Sequence, residues 1–217
     1  MLARLFVDAS EPDAGALGRA AANIRSGGVV AFPTDTLYGL AADPFSGEAA
    51  GRIFAIKGRP AERGLPLIAA DAAQISIHLG ALPPMGLLLA ARFWPGPLTL
   101  LVAAPAGLAP EVTGGTGRVG VRVPAHLVAR RLCELCERPL TATSANRSGG
   151  RASDDPDVVA RALGPDGDMP GVSLLLDAGM TPGGAPSTIV DVTMTEPGLV
   201  RAGAISWEAV LACLRRG

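Results

Sequence analysis

The chain has 217 residues, enough for one well-buried domain, and its 48% hydrophobic and 18% charged content is typical of a globular rather than a disordered protein. A formal net charge of −1 excludes a general electrostatic attraction to nucleic acid or to an anionic membrane. The apolar runs are far shorter than the ~20 residues of a membrane-spanning helix. Because Arg4 and Asp8 interrupt the apolar N-terminus, we also expect no signal peptide. These features predict a cytoplasmic protein in which any affinity for phosphate comes from a local basic cluster.

Helical and extended patterns alternate in chain order. Apolar residues at helical spacing predict helices at residues 13–26, 47–57, 71–79, 84–93, 126–136, 155–163 and 206–215. Runs of aliphatic and β-branched residues predict strands at residues 29–33, 65–70, 98–104, 119–123, 140–144, 172–177 and 187–193. This alternation predicts an α/β fold in which one twisted, mixed β-sheet is flanked by helices. We expect a single domain over residues 1–217, with the Gly- and Pro-rich segments 105–117 and 179–186 as loops over a site.

Two short motifs match the patterns of known binding sites, but the surrounding sequence does not support such sites. Residues 115–120 satisfy G-x-G-x-x-G, but they run into a strand pattern instead of opening a helix, which argues against a dinucleotide site. Cys133 and Cys136 have the spacing of a redox motif or of half a zinc site, yet no second pair follows, and His78 and His126 are remote in sequence. We expect both thiols to be structural, and we expect His126 to cap or pack at the start of its helix.

Several polar segments are not explained by core packing alone. Residues 33–39 (PTDTLYG) place hydroxyl groups and a carboxylate at the carboxyl end of an apolar strand, where ligands bind in α/β sheets. An ordinary polar turn would have the same composition. Residues 57–60 (KGRP) end a helix with two cations. The helix dipole accounts for one of them, and the pair also forms a compact clamp for phosphate oxygens.

Other segments combine small polar residues with glycine or arginine. Residues 141–150 (TATSANRSGG) allow a ligand to approach the backbone closely and offer Ser and Asn as hydrogen-bonding groups, or they form a capped turn. Residues 186–191 (PSTIVD) and 199–203 (LVRAG) are strand patterns with a polar group at one end. Arg122 lies within the apolar strand VGVRV, where a charged side chain is expected to face solvent or a ligand.

Together and in this order, these segments resemble the YrdC-like family of threonylcarbamoyl-AMP synthases, in its short bacterial form. The matching stretches are GGVVAFPTDTLYGLAADP, FAIKGRP, LPLIAA, FWPGPLTLLV, VGVRVPAH, TATSANRSG, APSTIVDV and LVRAG, within a family-matching core of about residues 14–205. The resemblance implies a YrdC-like fold with a concave ligand cleft. One departure concerns residues 66–70 (PLIAA), where some family members have a histidine near the threonine and this chain has none.

The resemblance also implies an activity. It is that of an L-threonylcarbamoyladenylate synthase, a nucleotidyltransferase that condenses L-threonine, bicarbonate or CO₂ and ATP into threonylcarbamoyl-AMP and releases pyrophosphate. The product would supply separate tRNA threonylcarbamoyl-transfer proteins, with weak or no direct binding of tRNA by this chain. Mg²⁺ is expected to arrive with ATP, without a metal site in the protein.

The resemblance further implies roles for individual residues. The catalytic residues are expected to be Lys57 and Arg59. The residues expected to bind ATP are Lys57, Arg59, Ser144, Asn146 and Arg201. The residues expected to bind threonine are Thr34, Thr36, Arg122, Ala142 and Ser187.

Two alternatives share the fold. A non-catalytic paralogue would bind nucleotide without forming the adenylate, and a double-stranded-RNA-binding module would use a basic concave surface. The intact K-x-R and S-A-N segments favour the enzyme, and the near-neutral charge and few aromatic residues argue against base stacking. Release of pyrophosphate that depends on threonine separates the enzyme from both alternatives.

Overall fold

The computed structural model describes residues 2–58 and 64–215. Its helices are α1 (Ala14–Arg25), α2 (Gly47–Lys57), α3 (Ala72–Leu79), α4 (Pro84–Phe93), α5 (Pro110–Thr113), α6 (Leu127–Cys136), α7 (Pro156–Leu163) and α8 (Trp207–Leu214). Its strands are β1 (Ala3–Phe6), β2 (Val30–Phe32), β3 (Gly39–Ala41), β4 (Leu67–Ile68), β5 (Leu98–Ala103), β6 (Arg118–Arg122), β7 (Leu140–Thr141), β8 (Thr143–Ser144), β9 (Leu174–Asp177), β10 (Thr188–Asp191) and β11 (Gly198–Arg201). The predicted α/β fold is confirmed.

The helices predicted from apolar spacing are present, and their ends lie within one residue of the predicted ends. Four of these helices begin where a side chain accepts a hydrogen bond from the backbone N–H group three residues ahead; the capping residues are Asp13, Ser46, Asp71 and Ser206. Each cap pairs an N–H group that the helix leaves unpaired, which stabilises the helix by about 1 kcal/mol. None of the helices in the described part of the chain is both long enough and apolar enough to cross a bilayer.

Three short elements were not predicted. Strands β1 (ARLF) and β3 (GLA) are too short to show an alternating pattern, and α5 (PEVT) is a single turn inside the Gly- and Pro-rich segment 105–117. Tertiary pairing stabilises both strands, because β1 runs parallel to β9 and β3 pairs antiparallel with β2. Local sequence does not carry that information.

The strands form two mixed sheets, whereas the sequence predicted one. The five-stranded sheet has the order β1-β9-β2-β3-β8, and the six-stranded sheet has the order β11-β10-β5-β6-β4-β7. The difference arises in the predicted strand 140–144, where β7 pairs with β4 and β8 pairs with β3. The chain passes from one sheet to the other at Ala142. Periodicity does not predict this transition, because it does not reveal which neighbour a strand pairs with.

Two clusters of buried apolar side chains hold these layers together. The larger cluster includes Tyr38, Ile53 and Leu100 and joins residues of both sheets to α2 and α4. The smaller cluster packs α1 and α6 against the sheets and includes Ile24 and Leu132. Burial of these side chains is the main stabilising contribution to the fold.

The two cysteines of α6 belong to the smaller cluster. Cys133 is fully buried and Cys136 is 2% exposed. Burial raises the pKa of both thiols, that of Cys136 to about 11, so both stay protonated at neutral pH. A buried, protonated thiol is a poor nucleophile and a poor metal ligand, which agrees with the structural role predicted for both residues.

Candidate active site

A cleft of about 630 Å³ opens between the two sheets. One wall is a face of the six-stranded sheet, from which Thr99, Gly120 and Arg122 line the cavity. The opposite wall includes residues 36–39 and Ser144, next to and within the five-stranded sheet. The volume falls in the range of ~300–1,000 Å³ that is typical of small-molecule sites. The concave cleft expected from the sequence is therefore present.

The segment that follows β2 presents two threonine hydroxyl groups to the cleft. Thr34 is buried, and its Oγ1 donates a hydrogen bond to the backbone oxygen of Leu37 at 2.7 Å. Oγ1 of Thr36 lies 3.1 Å from Oγ1 of Thr34. Because the single proton of the Thr34 hydroxyl group is used on Leu37, Thr36 is the donor in this pair. The lone pairs of the Thr36 oxygen therefore remain to accept a hydrogen bond from a ligand.

The loop at residues 179–186 is tied to the same wall. The backbone oxygen of Thr36 accepts hydrogen bonds from the Gly183 N–H group and from the Thr181 hydroxyl group, each at 2.8 Å. The hydroxyl group of the buried Tyr38 donates to the backbone oxygen of Gly179 at 2.7 Å. These contacts hold the loop beside the cleft, in agreement with the prediction that it borders a site.

Lys57 braces the segment that follows β8. Its ammonium group donates to the backbone oxygens of Ser144 at 2.5 Å and of Asn146 at 2.6 Å. Lys57 ends α2, as the sequence predicts, but its side chain is 3% exposed and does not line the cleft. Arg59, the second cation of the predicted clamp, lies outside the described residues.

The side chain of Asn146 also bonds to the backbone of its own turn. Its Nδ2 atom donates to the backbone oxygens of Arg147 at 2.8 Å and of Gly150 at 2.7 Å, which closes the turn after β8. Its Oδ1 atom is buried and has no hydrogen-bond partner in the described part of the chain. Asn146 does not line the cleft, whereas Ser144 does.

Arg122 and Arg201 both line the cleft. Arg122 on β6 is 7% exposed and lies 3.5 Å from Asp35, measured from Nη1 to Oδ1. Burial lowers the pKa of the Arg122 guanidinium, and the charge of Asp35 opposes that shift. Burial also lowers the pKa of Arg201, and the positive charge of Arg122 lowers it further. Two guanidinium groups that repel each other in one cavity are well suited to bind an anion between or beside them.

Arg201 is held in place by Ser187. Its guanidinium group donates from Nε and Nη2 to the Ser187 backbone oxygen at 3.1 and 2.6 Å, and from Nη2 to Oγ at 3.0 Å. Oγ of Ser187 lies in turn 2.8 Å from Oγ1 of Thr99, and both residues are buried. This chain of hydrogen bonds positions one cation of the cleft.

Sequence reasoning missed several polar residues of the cleft, among them Thr99 and Arg118. Thr99 is a polar residue within the apolar strand LTLLVA. A polar residue within an apolar strand is also the signal that identifies Arg122. Arg118 begins β6 and forms an ion pair with Asp191 at 2.6 Å. Gly120 lies between Arg118 and Arg122 on the same face of β6, so two cations flank an open stretch of the wall.

The cleft has no carboxylate among its described lining residues, and the described part of the chain contains no cluster of three or more residues that would hold a metal ion. Mg²⁺ prefers oxygen ligands, often carboxylates or phosphates. The described lining of the cleft offers hydroxyl and guanidinium groups instead of carboxylates.

The structure brings most of the predicted site residues together. The predicted residues that line the cleft are Thr34, Thr36, Arg122, Ala142, Ser144, Ser187 and Arg201. Lys57 and Asn146 lie behind its wall. His126 occupies the N-cap position of α6 without forming a side-chain cap, so the capping role predicted as one of its two possibilities is wrong.

Residues 22–203 match the Sua5_yciO_yrdC family model, which is described as telomere recombination. This match covers well over half of the chain. The chain belongs to the Sua5/YciO/YrdC family. Every predicted site residue, from Thr34 to Arg201, lies within the matched region.

Individual relatives of this Sua5/YciO/YrdC chain are threonylcarbamoyl-AMP synthases. The chain is 41% identical to that of Pyrococcus abyssi over 192 residues, which are 88% of this chain and 55% of the relative. It is 37% identical to that of Bacillus subtilis over 199 residues, which are 91% and 56% of the two chains. The crystal structure of P. abyssi Sua5 complexed with L-threonine superposes with a TM-score of 0.89 at 36% identity, over 98% of this chain and 61% of that one. The chain thus spans about half the length of these two curated relatives.

Proposed function

We propose that this chain is an L-threonylcarbamoyladenylate synthase, a nucleotidyltransferase that uses L-threonine, bicarbonate and ATP. The observation that carries the proposal is the placement of Arg122 and Arg201 in one cleft with the hydroxyl groups of Thr34, Thr36, Ser144 and Ser187. Such a cavity offers cations for anionic groups and several small polar groups for an amino acid. The names of the similar proteins, reported above, support the same activity.

Threonine would lie at the buried end of the cleft. Arg122 is the only described cation there that is less than a tenth exposed, and its planar guanidinium group matches a carboxylate. The Thr36 oxygen has lone pairs available for the substrate's amine or hydroxyl group. Ala142, where the chain crosses between sheets, and Ser187 would form the remaining walls of this subsite.

ATP would occupy the wider part of the cleft, with its phosphates near Arg201 and its contacts to the protein completed by Ser144. Lys57 supports this subsite from behind, because it fixes the backbone of residues 144–146 through the hydrogen bonds given above. Direct contact of Lys57, Arg59 and Asn146 with phosphate remains part of the proposal. Mg²⁺ would arrive with ATP and reduce the charge on its phosphates.

The chemistry requires positioning more than covalent catalysis. The threonine amine adds to CO₂ and loses a proton to give a carbamate, whose oxygen then attacks the α-phosphorus of ATP as the bond to pyrophosphate breaks. The cations of the cleft would stabilise the charge that develops on the departing pyrophosphate. A cleft between two sheets also holds the unstable carbamate next to phosphorus and limits its contact with water.

Release of pyrophosphate tests the proposal. The protein is incubated with L-threonine, bicarbonate and Mg·ATP, and each substrate is omitted in turn. We expect release only when all three are present. Release without threonine, or none with the full mixture, would favour a paralogue that binds nucleotide without forming the adenylate.

The same proposal places the protein in the cytoplasm, where ATP is abundant, and assigns its product to separate tRNA threonylcarbamoyl-transfer proteins. The near-neutral net charge supports weak or no direct binding of tRNA by this chain. A binding titration with tRNA at low and moderate salt tests this part independently of the activity.

A further inference from the structure

The ion pair between Asp35 and Arg122 is unusually loose. Its Oδ1–Nη1 distance is 3.5 Å, whereas Arg118 and Asp191 approach to 2.6 Å. Both members of the loose pair are deeply buried, since 11% of the Asp35 side chain and 9% of the Arg122 side chain are exposed. Charge-assisted hydrogen bonds between such groups normally measure about 2.7–2.9 Å. Asp35 therefore compensates the charge of Arg122 without forming a short hydrogen bond to it.

Neither member of this pair completes its hydrogen bonding among the residues that the structure describes. Both carboxylate oxygens of Asp35 and the Nη1 atom of Arg122 are buried and have no hydrogen-bond partner among the described residues. Buried charged groups are normally both paired and hydrogen-bonded, because an unsatisfied one is unfavourable. Among the described residues, the Arg122 donors are therefore available to an anionic group that enters the cleft.

Only one of the two side chains lines the cleft. Arg122 lines the cavity, and so do Thr34 and Thr36 on either side of Asp35, but Asp35 itself does not. The charge of Asp35 acts on Arg122 and on His126, whose Nδ1 atom is buried and lacks a hydrogen-bond partner in the described part of the chain. Asp35 thus lies next to Arg122 without lining the cavity itself.

We propose that Asp35 is a positioning residue that holds the Arg122 guanidinium group so that its donors face the carboxylate of the amino-acid substrate. This inference rests on the proposed function, since threonine supplies that carboxylate. A tight, bidentate Asp–Arg pair would use the donors that the substrate needs. Without the Asp35 carboxylate next to it, the Arg122 guanidinium group would be buried as a lone charge and would turn towards another acceptor. A loose pair avoids both outcomes.

The test measures the binding of L-threonine and of ATP separately, by calorimetric titration, to the wild type and to Asp35→Asn. We expect Asp35→Asn to weaken threonine binding by about tenfold or more, as for the loss of one charge-assisted contact, and to leave ATP binding within about twofold. The matched control is Asp43→Asn, which removes an Asp–Arg pair with Arg138 that lies away from the cleft. That variant should bind both ligands like the wild type.

A second probe separates positioning from direct contact with the substrate. The deaminated analogue 3-hydroxybutanoate keeps the carboxylate and hydroxyl groups of threonine but lacks its amine. If Asp35 acts through Arg122, Asp35→Asn weakens the binding of this analogue by the same factor as that of threonine. A loss confined to threonine would mean that Asp35 contacts the substrate amine directly, and it would overturn the positioning role.

The remaining outcomes are also decisive. Unchanged threonine affinity in folded Asp35→Asn would make the pair purely structural and would overturn this inference while leaving the proposed function intact. Failure of the wild type to bind threonine would overturn the proposed function, and this inference with it. If Asp35→Asn does not fold, Asp35→Glu replaces it, because it keeps the charge and moves it by one methylene group. We then expect a loss of about threefold for both threonine and the analogue, and no loss would overturn the inference.

Discussion

The ammonium group of Lys57 lies 2.6 Å from the backbone oxygen of Asn146 and connects the end of α2 to the turn after β8. This contact joins two segments that are 89 residues apart in the sequence. It gives the cleft wall that carries Ser144 a fixed shape. The lysine therefore acts as an internal brace for the proposed ATP subsite.

Replacement of Lys57 by methionine should both destabilise the protein and reduce activity. The substitution keeps most of the side-chain volume but leaves two part-buried carbonyl oxygens without their charged donor, which should lower the free energy of unfolding by about 2 kcal/mol. Urea denaturation measures this loss, and the KM for ATP should rise in the same variant. The matched control is Arg52→Met on the same helix, whose side chain is 48% exposed in a surface pair. It should change stability by less than about 0.5 kcal/mol, and equal losses in the two variants would contradict the brace.

Gly203 should tolerate no side chain. A Cβ atom at this position would lie 2.2 Å from the backbone oxygen of Pro186 and 2.6 Å from the carbonyl carbon of Ser187, so backbone would have to move. Gly203→Ala should therefore destabilise the protein by about 1–3 kcal/mol. It should also weaken ATP binding, because Ser187 positions Arg201.

The matched control is Gly18→Ala in α1, where a Cβ atom would meet nothing within 4 Å. It should stabilise the protein by about 0.5–1 kcal/mol, since alanine favours a helix interior more than glycine does. Thermal unfolding measures both variants. A Gly203→Ala protein with wild-type stability and ATP affinity would show that the backbone of residues 186–188 does not determine the position of Arg201 in the cleft.

Asp191 should contribute to stability in a pH-dependent way. Burial alone would raise the pKa of its carboxyl group, but hydrogen bonds from Thr193 and the contact with Arg118 outweigh burial and lower it. A folded pKa below the unfolded value of about 4 means that this contribution is present above that value and is lost as pH falls through the folded pKa.

Asp191→Asn should accordingly reduce the free energy of unfolding by about 1–3 kcal/mol at neutral pH. The difference from the wild type should shrink at an acidic pH below about 4, because the native carboxyl group becomes protonated as the pH falls through its lowered pKa. Urea denaturation at both pH values provides the measurement, and Glu48→Gln, at a side chain that is 78% exposed, is the control. A destabilisation that did not change with pH would mean that charge is not its origin.

The two thiols of α6 should be unreactive and dispensable. Because Cys133 and Cys136 are buried and their pKa values are raised, a thiol reagent at about pH 8 should label Cys213 first and the other two only after unfolding. Cys136→Ser should keep the kcat for pyrophosphate release within about twofold. Rapid labelling of three thiols in the native protein, or a large fall in kcat without unfolding, would revive a catalytic role.

Much of the fold could be predicted from the sequence, because helical spacing and capping residues are local signals. The residues of the cleft could also be predicted where polarity interrupts an apolar strand, as at Arg122, or follows one, as at Thr34. The orientation of Lys57 could not, because its partners are backbone oxygens from a distant turn. Likewise, the division into two sheets depends on the pairing of β7 and β8 with different neighbours, which no local pattern encodes.

The most direct test of the proposed activity follows the carbon atom of bicarbonate. The protein is incubated with isotope-labelled bicarbonate, L-threonine and Mg·ATP, and the nucleotides are analysed by mass spectrometry. We predict a labelled adenylate with the mass of threonylcarbamoyl-AMP, formed in equal amount to the released pyrophosphate. Pyrophosphate without a labelled adenylate, or an adenylate that forms without threonine, would contradict the proposal that the cleft joins these three substrates.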